Sequence, residues 1–227
     1  MLYVVATPIG NLEDLTFRAL RILKEADFVL CEDTRVTKKL LDHYQIATPT
    51  ISYHQHSDQL KIDRLIKTLA NGKNLALVTD AGTPGISDPG GVLVEAALAA
   101  GHEVITIPGA SALTAVIAIA GLPMEKFLFL GFLPHKKGRQ TLLKKIADCE
   151  YPVVLYESVH RIEKLLDELT GPAFAKASAG KHDYYLIVAR ELTKKFETIY
   201  RGTVLEVKDQ LKKEEIKGEF VVIIYKK

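Results

Sequence analysis

Apolar residues in this chain fall into short continuous runs, separated by longer stretches in which they recur every three or four positions. Short runs bounded by turn residues predict buried strands, and the spaced stretches predict amphipathic helices. The pattern predicts strands at Leu2 to Ala6, Phe28 to Cys31, Thr50 to Tyr53, Leu75 to Thr79 and Val104 to Ile107. Between them it predicts one helix bearing Leu20, Leu23 and Ala26, capped by Asp14 or Thr16, and another bearing Leu40, Leu41 and Tyr44. A third carries Leu65, Ile66 and Leu69, capped by Ser57 and stopped at Asn71-Gly72. A fourth starts at Asp88 with Pro89 in its first position, where the missing N–H costs nothing, and ends at Gly101. The uncharged stretch ALTAVIAIAG after Pro108-Gly109-Ala110-Ser111 predicts a helix buried between layers.

Gly121-Leu122-Pro123 then breaks the pattern, which predicts one domain over 1–120 and a second over 121–227. In the second, strands are expected at Phe127 to Leu130, Val153 to Tyr156, Leu186 to Ala189 and Phe220 to Tyr225, with helices at Thr141 to Ile146 and Ile162 to Leu169. Strands alternating with helices throughout predict an α/β fold that binds ligands at the carboxyl ends of its strands. GPAFAKASAGKHD has no hydrophobic period and reads as a surface loop, and Lys208 to Lys217 reads as a solvated helix.

Composition narrows the class. At 227 residues the chain can bury a sizeable core, and 48% hydrophobic with 26% charged residues is ordinary for a globular protein. No apolar run approaches bilayer-spanning length, so no membrane partner is expected. MLYVVATPIG lacks the basic start of a signal peptide and reads as a first strand, which with two unpatterned cysteines, Cys31 and Cys149, predicts a cytoplasmic protein with packing thiols. The net charge of +2 means that any nucleic acid would be held by local basic clusters.

The densest candidate for chemistry is Leu77 to Gly91, LVTDAGTPGISDPGG, where Gly82, Gly85 and Gly90 allow backbone to approach a ligand. Asp80 could accept hydrogen bonds from a ligand's ammonium or hydroxyls, or simply hold the turn. Neither GxGxxG after a strand nor GxxxxGK[ST] occurs, which disfavours a nicotinamide dinucleotide fold and a P-loop NTPase. Glu32 and Asp33 at a strand end could do acid–base work, although Arg35 suggests an ion pair instead. His54 and His56 share a face but lack a third metal ligand, so no metal is expected. Lys136, Lys137 and Arg139, with Arg161, Lys194 and Lys195 further on, would suit phosphates or could be solvated.

Together VATPIGNLEDLTFRAL, CEDTR, LVTDAGTPGISDPG, PGASALTAVIAIAGLP, FLGFLPHKKGR, YESVHRI, RELTKKFETIYRG and KGEFVVII span nearly the whole chain. With these stretches the chain resembles the tetrapyrrole methylase superfamily of S-adenosylmethionine-dependent methyltransferases, and within it the branch acting on ribosomal RNA. The resemblance implies two α/β (αβα) domains with the cofactor cleft between them, in a homodimer. It also implies 2′-O-methylation of a cytidine ribose in small-subunit (16S) ribosomal RNA, free or in the 30S subunit. Alternatives are a tetrapyrrole C-methyltransferase and a non-catalytic RNA-binding module. Carried over by position, S-adenosylmethionine would be held by Pro8, Asp80, Thr83, Ser111, Ala112, Tyr156 and Glu157. Glu157, Glu32, Asp33, Arg161 and Lys194 are candidates for catalysis, with His160 a further possible base. Val159 in YESVHRI departs from the proline usual in the family.

Overall fold

The computed structural model describes residues 1–54, 59–88, 90–171, 174, 183–213 and 215–227. By their contacts they form two compact units, Met1–Ser111 and Ala112–Lys227. In the first, strands β1 (Leu2–Val5), β2 (Phe28–Cys31), β3 (Thr50–Ser52), β4 (Leu75–Leu77) and β5 (Val104–Ile107) alternate with helices α1 (Phe17–Glu25), α2 (Thr34–His43), α3 (Gln59–Ala70) and α4 (Gly90–Ala99). The strands form one parallel sheet in the order β3-β2-β4-β1-β5.

A parallel sheet joined by helical crossovers is covered on both faces, which is why its strands read as near-continuous apolar runs. Val5, Val29, Cys31 and Ala76 pack with Ala19, Ile22 and Leu23 of α1 and Leu41 of α2. Leu2, Leu30, Leu75 and Leu77 pack with Ile62, Leu65 and Leu69 of α3 and with Leu93 and Ala97 of α4. Thr16 is the residue that caps α1, its hydroxyl accepting from the Ala19 amide at 3.1 Å. Ser57, the cap expected for α3, lies outside the described residues.

The second unit comprises α5 (Ala112–Ala118), β6 (Leu128–Phe132), α6 (Arg139–Asp148), β7 (Val153–Ser158), α7 (Ile162–Leu169), β8 (Tyr184–Arg190), β9 (Thr198–Thr203), α8 (Val204–Leu211) and β10 (Glu219–Lys226). Its sheet is mixed, in the order β6-β7-β10-β8-β9, with β6 and β7 parallel and the other pairs antiparallel. Val153 and Leu155, Leu186 and Val188, and Phe220 and Val222 form one core with apolar residues of α6, α7 and α8.

Three features depart from the sequence pattern. The unit boundary falls ahead of the Gly121 break, and α5 packs on β10. Within α5 only Val116 is buried, so its lack of charge does not reflect burial between layers. Strand β9 takes up the end of RELTKKFETIYRG and Thr203 after it, where the charged start conceals the β-branched Thr198 and Ile199. Among the described residues no helix is long and apolar enough to cross a membrane.

A capping box joins β9 to α8: Thr203 Oγ1 accepts from the Glu206 amide, and Glu206 Oε2 accepts from the Thr203 amide at 2.7 Å. Thr203→Ala is expected to cost about 1 kcal/mol, read as a lower urea midpoint.

Candidate functional site

Because all five strands of the first sheet are parallel, the turns that follow them share one edge. The strand order places β4 between β1 and β2. Thr7, just after β1, and Gly82, after β4, exchange two backbone hydrogen bonds, Thr7 N–H to Gly82 O at 2.9 Å and Gly82 N–H to Thr7 O at 3.1 Å. The Thr7 hydroxyl also donates to Thr79 O at 3.1 Å. Gly82 has φ of +87°, and a Cβ there would lie 3.3 Å from the Ile9 side chain, so glycine is required for both backbone and space. The turn after β5 joins the same frame. Thr83 donates its hydroxyl to Ala110 O at 3.0 Å, and a Cβ on Gly109 would come within 3.0 Å of Ala6 Cβ.

Farther along LVTDAGTPGISDPGG, Asp88 Oδ1 accepts from the amides of Gly85 (2.8 Å) and Gly90 (2.9 Å), as a capping residue does at the start of α4. Pro89 lies outside the described residues.

Asp80 is exposed, and its Oδ1 accepts from the Asp33 amide at 3.1 Å, tying the β4 turn to the end of β2. Asp33 caps α2 and is gripped by Arg35, whose Nη2 lies 2.7 Å from its Oδ2. Arg35 and the backbone amides of α2 hold the Asp33 carboxyl at about 2, so it is a weak base at neutral pH. Glu32 is exposed and makes no hydrogen bond or ion pair among the described residues. Burial pushes the Cys31 thiol up, with Asp80 and Asp33 acting in the same direction, as suits a packing cysteine. Beside these groups lies a cavity of about 190 Å³, whose lining includes Thr7, Pro8, Thr37, Lys39, Thr79 and Asp80.

In the second unit the end of β7 holds a buried ionic network. Glu157 has a side chain 0% exposed, with Oε1 2.8 Å from Arg161 Nη2 and Oε2 3.7 Å from Arg139 Nη2. Arg139 pairs in addition with Glu168 at 2.7 Å. Two further donors reach backbone: Arg161 Nη1 donates to Leu133 O at 2.6 Å and Arg139 Nη1 to Pro134 O at 3.3 Å. After β8, Lys194 Nζ lies 2.9 Å from both Glu191 and Glu219. Burial opposes its charge, but the hydrogen bonds it donates to these two carboxylates outweigh that and raise its pKa.

The sequence profile of the Tetrapyrrole (Corrin/Porphyrin) Methylases matches residues 1–208. The chain belongs to the tetrapyrrole methylase family. It is 47% identical over 224 residues to "Ribosomal RNA small subunit methyltransferase I" of Halalkalibacterium halodurans, covering 98% of this chain and 75% of that one. Among solved structures, diphthine synthase superposes with a TM-score of 0.71 at 16% identity, covering 99% of this chain and 89% of that one. Uroporphyrin-III C-methyl transferase from Thermus thermophilus, in complex with S-adenosyl homocysteine, superposes with a TM-score of 0.62 at 22% identity, covering 99% and 96%. At these identities the superpositions speak to fold, and the fold is that of two α/β domains.

In this methylase several of the expected site residues sit in ion pairs. The Glu157 carboxylate is wholly buried between two arginines, shielded from solvent. Arg139 and Arg161, with side chains only 3% and 13% exposed, are spent on carboxylates and carbonyls and offer little to phosphate. Lys194 is neutralised by two carboxylates and is a poor candidate for phosphate or for a developing alkoxide. Lys136, Lys137 and Lys195 are exposed, the last with its ammonium 5.5 Å from the Phe196 ring centroid. Pro8, Asp80, Thr83 and Ser111 all lie on the turns of the first sheet's edge, whereas Ala112 opens α5 and Tyr156 sits in β7. Among the described residues no group of three or more metal-ligating side chains occurs, and His56 lies outside them. Of the residues lining the cavity, Thr37 and Lys39 were not singled out by the sequence. Thr7 and Thr79 flank residues already singled out, but nothing local marks Lys39.

Gly82→Ala is expected to destabilise the protein by about 1–2 kcal/mol, from its left-handed backbone and the Ile9 contact. Gly91→Ala, in α4 with open space around it, should instead stabilise by up to about 1 kcal/mol. Urea unfolding of the pair gives opposite signs. Glu157→Gln leaves the largely buried Arg161 guanidinium without its carboxylate, while Arg139 keeps Glu168, and is expected to cost roughly 3–5 kcal/mol, seen as a large fall in thermal midpoint.

Proposed function

We propose that this methylase transfers a methyl group from S-adenosylmethionine to the ribose 2′-oxygen of a cytidine in small-subunit ribosomal RNA, as a cytoplasmic homodimer. The observation that carries the reading is the 47% identity, over nearly the whole chain, to a protein named as a small-subunit ribosomal RNA methyltransferase. The methyl donor is inferred from the family, and the residues of the first sheet's edge suit it. A donor with a sulfonium, an ammonium and ribose hydroxyls needs oxygen acceptors and close backbone. That edge supplies an exposed carboxylate, threonine hydroxyls and turns where glycine leaves backbone accessible.

When bound, the donor supplies an electrophilic methyl group. Pro8, Asp80, Thr83 and Ser111 would hold it. Asp80 has one oxygen on the Asp33 amide and another that makes no hydrogen bond among the described residues, and this second oxygen would accept from the donor's ammonium or hydroxyls. Thr83, anchored on Ala110 O, keeps the turns after β4 and β5 in register around it. Holding the two reactants in line supplies much of the acceleration, since a well-oriented pair avoids the entropic cost of encounter. A base must still hold the proton of the 2′-hydroxyl. Glu32 and His160 are exposed, and the Glu32 carboxylate has no competing partner among the described residues.

Incubating the protein with small ribosomal subunits or their RNA and methyl-labelled donor should place label on a cytidine ribose, mapped by nuclease resistance and mass. Label on a base, or on a porphyrinogen in place of RNA, overturns the reading. Asp80→Ala should weaken donor binding about tenfold or more by calorimetry while the circular dichroism spectrum is kept; unchanged affinity would remove Asp80 from the site.

A further inference from the structure

The edge strand β6 contains an irregularity that brings aromatic rings together. Its register against β7 runs Phe129 to Val154 and then Phe132 to Tyr156, three residues on one strand against two on the other. Gly131, with φ of +59°, takes up the extra residue. Without the bulge, Phe129 and Phe132 would point to opposite faces of the sheet. With it, both reach Tyr156, at ring-centroid distances of 5.1 Å and 5.5 Å. Phe129 is half-buried, but Phe132 is 52% exposed, with the Arg161 guanidinium 5.9 Å from its ring centroid.

The chain just beyond Phe132 is held rather than loose. Arg161 grips Leu133 O and Arg139 grips Pro134 O, and both guanidinium groups are fixed by Glu157 and Glu168. Burying such charges is expensive, and here their remaining donors set the path of one loop. That loop then presents Lys136 and Lys137, exposed and without an ion pair among the described residues. A fixed, exposed ring followed by two unneutralised cations matches a ligand that alternates π-faces with negative charges.

We propose that Phe132 is a stacking platform for an unpaired base of the RNA, with Lys136 and Lys137 holding the phosphates beside it. The proposal rests on the RNA reading above and names the residues that contact the substrate. A duplex keeps its bases stacked inside, so the platform selects a single-stranded segment. Arg161, Arg139 and Glu157 act as positioning residues that pre-form the loop.

The test titrates the full chain with a fluorescent single-stranded oligoribonucleotide of mixed sequence, and with a duplex of equal length, across a range of salt. Phe132→Ala should weaken single-strand binding roughly tenfold or more, with the salt slope unchanged. Phe132→Trp should retain binding. Phe132→Leu, which preserves apolar packing on Tyr156, should bind as weakly as the alanine variant. Lys136→Ala combined with Lys137→Ala should lower the salt slope by about 0.7 per lysine. Binding by Phe132→Ala or Phe132→Leu within twofold of wild type overturns the proposal, as does equal loss for duplex, loss of donor binding, or a lower oligomeric mass by sedimentation. If the unaltered protein methylates ribosomal RNA and Phe132→Ala methylates it equally well, this inference fails and the proposed function stands. If the oligonucleotide pattern appears but no RNA is methylated, the proposed function fails and the platform stands.

Discussion

Two backbone hydrogen bonds between Thr7 and Gly82 are the constraint on which the first unit's edge depends. They join the turns after β1 and β4, which are neighbours in the sheet although they lie far apart in the chain. A side chain at Gly82 would strain the backbone and press on Ile9. Thr83 extends the frame to the β5 turn, and Asp80 extends it to the end of β2. Rigid turns at the carboxyl edge of a parallel sheet are what allow backbone polar groups and one carboxylate to face a ligand without reorganising.

The second unit solves a different problem with charge. Near the end of β7 its mixed sheet carries a carboxylate buried among arginines, an arrangement that adds little stability compared with an apolar core of the same volume. What the network does supply is direction, because its surplus donors fasten the carbonyls of Leu133 and Pro134. The basic residues of this region therefore divide into two kinds. Arg139, Arg161 and Lys194 are held in ion pairs, while Lys136, Lys137 and Lys195 remain at the surface. Sequence clustering could not separate them, since neighbouring basic residues such as Lys137 and Arg139 differ only in which acidic side chain the fold brings near.

Legibility follows the length scale of each interaction. The strands of the first unit were visible because a covered parallel sheet leaves continuous apolar runs, and the caps at Thr16 and Asp88 belong to chemistry confined to a few residues. Strand β9 was hidden by its charged approach, and α5 was misjudged because a small, uncharged helix need not be buried. At the site, the glycine-rich turn and Asp80 were legible from composition alone. The partners that give them meaning, Thr7 for Gly82 and Asp33 for Asp80, were not.

The sequence by itself determined an α/β chain and the glycine-rich turn after β4, because periodicity and turn preference act between near neighbours. Its motif set also carried the family to which the chain belongs. Only the tertiary structure decided that Glu157 is a framework carboxylate and that Phe132 faces outward beside two free lysines. These depend on pairings between β6, α6, β7 and α7 and on one bulge at Gly131, and burial and charge pairing are properties of a packed surface that a one-dimensional pattern does not encode.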